Sequence, residues 1–137
     1  MQVSEVMHKG VTTVQIHDSI KKVAALMKRE DIGAVPVYKN ERPVGFVTDR
    51  DIVVSCVAQG HPVDDPISHA MNRDIHTVKE NDDINVAAQR MKENRISRLL
   101  VTDAGGNPVG MLSLHDLTIN SEDETLTSGI VSEIKGL

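Results

Sequence analysis

One pattern of seven residues occurs twice in this chain of 137 residues, as GFVTDRD at 45–51 and as GMLSLHD at 110–116. Each copy follows a Pro-Val pair and precedes an aliphatic residue. The apolar first half of each copy favours a strand, and Thr48 or Ser113 is suited to begin a helix. Asp51 or Asp116, three residues later, places a negative charge in the first helical turn. The pattern therefore predicts a strand, a sharp turn and a helix, twice.

Two interpretations of this pattern are open. A hydroxyl followed three residues later by an acid is a capping box, which needs no function beyond starting a helix. Alternatively, the free backbone N–H groups and positive dipole end at a helix N-terminus suit a phosphate. A short carboxylate can then accept hydrogen bonds from both hydroxyls of a ribose. Capping boxes favour glutamate or glutamine at the third position, whereas both copies carry aspartate, which slightly favours a ligand.

The pattern belongs to a longer repeat, because residues 3–37 align with 67–101 without a gap and share 11 identities in 35 positions. Short helical turns are predicted at 3–7, begun by Ser4, and at 67–71. Asp18 and Asp82 are predicted to cap two amphipathic helices with apolar residues at i, i+3, i+4 and i+7. These apolar residues are Ile20, Val23, Ala24 and Met27 in one helix and Ile84, Ala87, Ala88 and Met91 in the other. Buried strands are predicted at 32–37 and 96–101.

The repeat predicts an α+β fold of two pseudo-symmetric units, each β-α-β-β-α, packed through their sheets into one module. A single unit is too small to bury both its helices and its sheet. The predicted limits are 1–60 for the first unit, 61–66 for a linker after Gly60, and 67–118 for the second unit. Residues 119–137 are predicted to be an acidic tail, with a possible short helix through Leu126, Ile130 and Ile134.

Composition narrows the possible functions. A net charge of −5 and only two aromatic residues, Tyr38 and Phe46, argue against a nucleic-acid or anionic membrane surface. A single cysteine, Cys56, excludes an internal disulfide and is expected to be a buried, inert thiol. No apolar run is long enough for a membrane span, and the polar N-terminus does not fit a signal peptide, so a cytoplasmic protein is predicted. The six histidines show no metal-ligand spacing, and no metal site is predicted.

With its doubled Gly-x-x-Ser/Thr-x-x-Asp ends, the chain resembles a tandem pair of CBS domains, named for cystathionine β-synthase, over about residues 1–118. The stretch DRDI at 49–52 is typical of small stand-alone bacterial members. The resemblance implies clefts between the two units that bind adenosine-containing ligands such as AMP, ADP or ATP, and in some members S-adenosylmethionine, NAD or dinucleotides. It also implies a regulatory module without chemistry of its own, no catalytic cofactor, and association into a disc-shaped homodimer.

The resemblance also assigns candidate ligand-binding residues. Asp51 and Asp116 would hold ribose hydroxyls, while Thr48 and Ser113 would bond ribose or phosphate. Arg50, Arg98 and His115 are candidate phosphate partners, His115 with a charge that depends on pH. The adenine would lie against two extended segments and two apolar strands, formed by Thr13, Val14, Ile32, Val35, Pro36, Thr77, Val78, Ile96 and Leu99.

The second copy departs from the family pattern in one strand. Leu100 stands at the position of Pro36, and Ser97-Arg98 replaces Gly33-Ala34. One site is therefore predicted to differ in width or selectivity, or to be empty. The alternative function is a ligand-free dimerising scaffold that binds a protein partner. An enzyme is not predicted, because the sequence contains no catalytic triad, phosphate loop or paired catalytic carboxylates.

Overall fold

The computed structural model of the chain describes residues 1–120. The predicted tail, with its possible helix at Leu126, Ile130 and Ile134, lies outside the described residues except for positions 119 and 120. Within the described part there are seven strands: β1 (His8–Lys9), β2 (Val14–Gln15), β3 (Ala34–Lys39), β4 (Arg42–Thr48), β5 (Thr77–Lys79), β6 (Arg98–Thr102) and β7 (Pro108–Ser113). The helices are α1 (Ile20–Glu30), α2 (Asp49–Ile52), α3 (Ile84–Asn94) and α4 (Leu114–Asn120). This mixed content confirms the predicted α+β class.

The chain forms two compact units. Residues 12–75 form one of them, here called the Asp51 unit, and its three-stranded sheet has the order β2-β3-β4. Residues 1–11 and 76–120 form the other, the Asp116 unit, and its four-stranded sheet has the order β1-β7-β6-β5. In both sheets a short parallel pair (β2 with β3, β5 with β6) is followed by an antiparallel hairpin (β3 with β4, β6 with β7). Each repeat therefore builds the same kind of sheet.

Each unit takes its first short turn from the other repeat. The 3₁₀ turn at Val3–Glu5 leads into β1, which pairs with β7 of the second repeat. The 3₁₀ turn at Ile67–His69 leads to Asn72, which forms the equivalent bridge with Phe46 of the first repeat. The limits predicted at 60 and 67 follow the repeats and not these compact units, because periodicity alone does not show which repeat a leading segment packs against.

Each unit has its own aliphatic core, as an almost aromatic-free composition requires. Met27 and Ile67 are buried in the core of the Asp51 unit, and Met91 is buried with Val3 in that of the Asp116 unit. Cys56 is also buried in the first of these cores, as predicted. Burial, together with the nearby charge of Asp65, raises the pKa of its thiol above the usual value.

The predicted helix starts are wrong by one residue. Ser19 and Asp83 are the N-caps of α1 and α3, whereas Asp18 and Asp82 accept the backbone N–H groups of Gln15 and Lys79 in the preceding turns. Two acceptors in a row make the cap ambiguous from sequence alone. The first short turn begins at Val3 after Gln2 and not at Ser4, and Ala24 of the predicted apolar stripe is exposed. The other members of both stripes are buried or half-buried.

Candidate functional site

In the Asp51 unit, the predicted residues meet at one end of the sheet. Strand β2 runs parallel to β3, so both begin at the same end, and β4 runs back to finish there. Ala34 at the start of β3 is paired with Thr48 at the end of β4. The first turn of α2, with Arg50 and Asp51, follows directly. The fold therefore brings residues that lie far apart in the sequence, at 13–14, 32–36 and 48–51, to the same end of the sheet.

The Asp116 unit repeats this arrangement. Thr77 in β5 is paired with Leu100 in β6, and Arg98 at the start of β6 is paired with Ser113 at the end of β7. Helix α4 then begins with Leu114, so that His115 and Asp116 lie in its first turn. The register places the Arg98 backbone directly beside the hydroxyl-bearing residue, where the Asp51 unit has Ala34.

Both capping boxes are formed, with nearly equal geometry. The Thr48 N–H donates to Asp51 Oδ2 at 2.9 Å, and the Asp51 N–H donates to Thr48 Oγ1 at 3.1 Å. In the other unit, the Ser113 N–H donates to Asp116 Oδ2 at 2.8 Å and the Asp116 N–H donates to Ser113 Oγ at 3.2 Å. Capping is thus a real role of all four residues. The second carboxylate oxygen, Oδ1, takes no part in either capping box.

The expectation of free N–H groups for a phosphate at the start of α2 is wrong. The Asp49 N–H donates to the Gly33 carbonyl at 2.9 Å, the Arg50 N–H donates to the Asp49 carboxylate at 2.8 Å, and the next N–H belongs to the capping box. In α4, the Leu114 N–H likewise donates to the Ser97 carbonyl at 2.8 Å. The backbone donors at the start of α2 are occupied by the chain itself, so side chains would have to hold an anion there.

The side-chain cations of the two units differ. Arg50 is exposed in the first turn of α2, and His115 is exposed in the first turn of α4. Arg98 is exposed on β6 and has no cationic equivalent in the Asp51 unit. The candidate arginine therefore lies on a helix in the Asp51 unit and on a strand in the Asp116 unit.

The two carboxylates also have different surroundings. Asp51 is half-buried, and its Oδ1 accepts no hydrogen bond or ion pair within residues 1–120. Asp116 is buried, and its Oδ1 lies 3.1 Å from Nε2 of His8, an exposed side chain on β1. The residue equivalent to His8 in the Asp51 unit is Asn72, whose side-chain oxygen instead accepts the Asp74 N–H at 2.8 Å. The leading segment that each unit takes from the other repeat therefore supplies a partner to the Asp116 carboxylate but not to that of Asp51.

Leu100, which stands where the first repeat has Pro36, changes the backbone hydrogen bonds between the two parallel strands of its sheet. The Leu100 N–H donates to the His76 carbonyl at 3.1 Å, just before β5 begins at Thr77. Pro36 has no N–H to give to the equivalent carbonyl of Thr12, and β2 accordingly begins one position later, at Val14. The Asp51 unit thus keeps a polar backbone segment at 12–13 that its sheet does not use.

Several predicted residues serve the cores. Val14 and Val35 lie in the core of the Asp51 unit, and Val78 and Leu99 lie in that of the Asp116 unit. Their neighbours Pro36 and Leu100 are also buried but alternate to the other face of the strand, outside those clusters. Ile32 and Ile96 are half-buried and pack against the cores just before β3 and β6. Thr13 is half-buried.

Sequence reasoning missed His8 and the Thr12 carbonyl. The sequence contains one indication of His8, namely that it follows Met7 and is aligned with Asn72 when the two repeats are superimposed. The signal for Thr12 was Pro36 itself, since a proline has no N–H to donate to a carbonyl of the neighbouring strand.

Residues 3–57 and 67–123 match the family model of the CBS domain, and the chain belongs to the CBS domain family. Among curated proteins, the CBS domain-containing protein YhcV of Bacillus subtilis (strain 168) is 35% identical over 118 residues, which cover 86% of this chain and 84% of YhcV. Several other relatives are longer, and the chain spans only 21% to 61% of their length.

Solved structures have the same fold. The CBS domain protein PAE2072 from Pyrobaculum aerophilum, complexed with AMP, is 26% identical with a TM-score of 0.75, and the match covers 100% of both chains. The Hypoxic Response Protein I, with two coordinated zinc ions, is 28% identical with a TM-score of 0.74 over 88% of this chain and 98% of that protein. The Hypoxic response protein 1 of Mycobacterium tuberculosis (strain CDC 1551 / Oshkosh) is 33% identical over 99 residues, which cover 71% of this chain and 69% of that protein. These similarities confirm the predicted family and the tandem architecture. Within residues 1–120, no helix is both long and apolar enough to cross a bilayer.

Proposed function

We propose that the chain is a regulatory module that binds an adenine nucleotide, of the AMP, ADP or ATP type, at the sheet ends that carry Asp51 and Asp116. This proposal rests mainly on one aspartate in each unit, Asp51 or Asp116. A capping box holds its carboxylate beside the first residues of two strands. The AMP complex of PAE2072, a member of the same family, supports the ligand class. The cytoplasm stays the predicted location.

The roles follow from the geometry of each unit. The carboxylate of Asp51 would accept the hydroxyls of a ribose, because its Oδ2 is held by the Thr48 N–H while Oδ1 has no partner within residues 1–120. Arg50, exposed one residue earlier, would pair with the phosphate. The 12–13 backbone, which precedes β2, and the buried Pro36 would receive the adenine, since Pro36 has no N–H to occupy the Thr12 carbonyl. The Asp51 site is therefore expected to be the stronger of the two.

The Asp116 site would use Ser113, Arg98 and His115 around a carboxylate that already contacts His8. A ribose hydroxyl would have to compete with the His8 ring, and the His76 carbonyl, unlike that of Thr12, already accepts the Leu100 N–H. This is the specific observation that favours the alternative, a site without ligand in a scaffold, for this unit alone.

Nucleotide binding is tested by calorimetry and thermal shift on nucleotide-free protein, with AMP, ADP, ATP, NAD and S-adenosylmethionine. A ligand at about a hundred times its Kd should stabilise the fold by about 2.7 kcal/mol, a shift of several degrees. The double variant Asp51→Ala with Asp116→Ala should abolish binding. Asp51→Asn and Asp116→Asn keep an acceptor for the cap and so separate ligand contact from folding.

The matched control is Glu41→Ala, an exposed acid on the β3–β4 turn of the same unit, which should bind as the wild type does. Unchanged affinity in folded Asn variants would contradict the proposed carboxylate role. No shift with any of the five ligands would favour the scaffold.

The proposal extends to a homodimer. Val53, Val54 and Val57, in the π-helical turn that continues α2, are 57%, 49% and 65% exposed. Three large apolar side chains on one short turn are an unfavourable solvent surface, and a second copy of the chain would cover it. Sedimentation equilibrium tests this, and a monomer at every concentration would contradict it.

A further inference from the structure

A cluster of three potential metal ligands lies away from the proposed nucleotide site, in the segment between α2 and β5. His61, Asp65 and His69 each offer one donor atom, and these atoms lie within 4.8 Å of one another. Asp65 Oδ2 is 3.5 Å from Nδ1 of His61 and 3.2 Å from Nδ1 of His69. Their His-x-x-x-Asp-x-x-x-His spacing differs from that of a histidine pair four residues apart, because the ligand between the two histidines is a carboxylate.

The backbone that carries the cluster is fixed by hydrogen bonds on both sides. The His61 N–H donates to the Cys56 carbonyl, and the Asp65 N–H donates to the Pro62 carbonyl. The Asp65 carbonyl accepts the Ile20 N–H at 2.9 Å, and the Ile67 N–H donates to the Asp18 carbonyl at 2.7 Å, which tie the segment to the start of α1. The His69 N–H then closes the 3₁₀ turn on Pro66. The three ligands therefore converge without ordering a flexible loop, which lowers the entropic cost of binding an ion.

Ion pairing explains only part of the arrangement in which one oxygen of Asp65 contacts two imidazole rings. Asp65 can neutralise one imidazolium, and the two rings, with centroids 5.3 Å apart and tilted by 53°, would repel each other if both were protonated. Neutral rings and an ionised carboxylate, by contrast, are the forms that bind a metal. One cation at the centre of the cluster would satisfy all three groups at once.

The donor set and the distances fit a zinc-like ion. Zn²⁺ binds imidazole nitrogen and carboxylate oxygen at about 2.0–2.2 Å, so donors around a tetrahedral zinc are roughly 3.3 Å apart. The two distances to Asp65 lie on either side of this value. The side chains of His61 and His69 are 41% and 44% exposed, which leaves them room to rotate and shorten the third edge. Mg²⁺ and Ca²⁺ prefer oxygen ligands only.

We propose that His61, Asp65 and His69 bind one divalent transition-metal ion of the zinc class, with water completing the coordination. The site lies on residues that the proposed nucleotide site does not use, and its occupancy does not depend on a nucleotide. It would join the two ends of the 61–69 segment, and so brace the 3₁₀ turn that leads to Asn72 and its bridge with Phe46.

The test is calorimetric titration of ZnCl₂ into untagged protein that has been treated with a chelator and then freed of it. We expect one Zn²⁺ per chain, and MgCl₂ at the same concentration should produce no binding heat. His61→Ala, Asp65→Asn and His69→Ala should each weaken the Zn²⁺ affinity about tenfold or more, in line with the loss of one ligand. Circular dichroism verifies that each variant remains folded.

His17→Ala is the matched control, since His17 is another exposed histidine in the same unit and lies outside the cluster. Its affinity for Zn²⁺ should equal that of the wild type. A second readout is the imidazole ¹⁵N spectrum, in which Zn²⁺ should shift the nitrogens of His61 and His69 and leave those of His17 in place. Absence of saturable binding, or equal affinity in all four variants, would overturn the proposal.

Discussion

The two units resemble each other most where strand becomes helix and least in what surrounds that junction. The capping-box distances of Thr48 and Asp51 differ by only 0.1 Å from those of Ser113 and Asp116 (2.9 and 3.1 Å against 2.8 and 3.2 Å). Yet His8 contacts only the second carboxylate. The shared junction is a local feature of seven residues, whereas the surroundings come from segments distant in sequence.

This contrast indicates how a repeat can diverge in function without losing its fold. Capping and sheet pairing need only a hydroxyl, an acid and an apolar strand, and both copies keep these. The residues that would select a ligand are not needed for these two features, and several of them differ between the copies. Arg98 for Ala34, Leu100 for Pro36 and His8 for Asn72 all belong to this second group.

The largest effect, on the free energy of unfolding, should come from disturbing the contact between either unit and the leading segment that it takes from the other repeat. A methyl group at Gly45 would collide with the carbonyl oxygen of Asn72, and one at Gly110 would collide with that of His8. Both are backbone atoms held in strand bridges, so they cannot move aside cheaply. Gly45→Ala and Gly110→Ala should each lower the free energy of unfolding by about 1–3 kcal/mol, measured by urea denaturation.

Gly105→Ala is the control for both variants, because a methyl group there meets only the ends of the Asn107 and Asp103 side chains, which can yield. It should change stability by less than about 0.5 kcal/mol. A similarly small change in Gly45→Ala would mean that the Asn72 segment is not tightly held against β4.

The second largest effect should be on nucleotide affinity at the Asp116 site, and this prediction rests on the proposed nucleotide function. His8→Asn copies the residue of the Asp51 unit into the Asp116 unit and removes a competing contact to Asp116 Oδ1. One such hydrogen bond is worth about 1 kcal/mol, so nucleotide affinity at that site should rise about three- to tenfold. Calorimetry in an Asp51→Asn background measures the Asp116 site alone.

The reciprocal variant, Asn72→His, is the matched control in the other unit. We expect it to weaken nucleotide binding at Asp51 if the histidine reaches the carboxylate as His8 does. An unchanged affinity in His8→Asn, with binding intact elsewhere, would show that the His8 contact does not limit the second site.

Sequence predicted the local features well because their causes are local. The capping boxes depend on a hydroxyl and an acid three residues apart, and the helices depend on a stripe such as Val23 and Met27. The exact cap did not follow, because Asp18 and Ser19 are both good caps and only the fold shows that Asp18 holds the Gln15 N–H instead.

The convergence of the candidate segments follows in part from the sequence, whereas their ligand-binding role stays a prediction. The register brings the predicted segments to one sheet end in each unit, which a repeat with family resemblance implies. The contact between His8 and Asp116 could not be predicted, because it joins residues 108 positions apart through an exchange of leading segments. The His61–Asp65–His69 cluster was not predicted for a different reason, namely that its two histidines are eight residues apart and the ligand between them is a carboxylate.

The smallest expected effect concerns the turns before α1 and α3, which differ in the contacts of their aspartates. Asp18 and Asp82 hold equivalent backbone N–H groups, but Asp18 also bonds Lys22 Nζ at 3.1 Å, where the second repeat has Val86. Partial burial alone would raise the pKa of Asp18, yet the bonds from Gln15 and Lys22 and the charges of Lys22 and His17 hold it below the usual value. A carboxyl whose pKa is lowered on folding stabilises the fold above its unfolded pKa of about 3.9.

That stabilisation is lost as the pH falls from about 4 through the lower folded pKa, because the proton then binds in both states. Asp18→Asn should therefore destabilise the protein by roughly 1 kcal/mol at neutral pH, and the difference from wild type should shrink towards zero in acid. Urea denaturation over a pH series measures this, with Asp82→Asn as the control that lacks the lysine. A loss in Asp18→Asn that stays constant down to the most acidic point would show that the charge of Asp18 does not account for its contribution to stability. An equal loss in both variants at neutral pH would show that Lys22 adds nothing, as is common for exposed ion pairs.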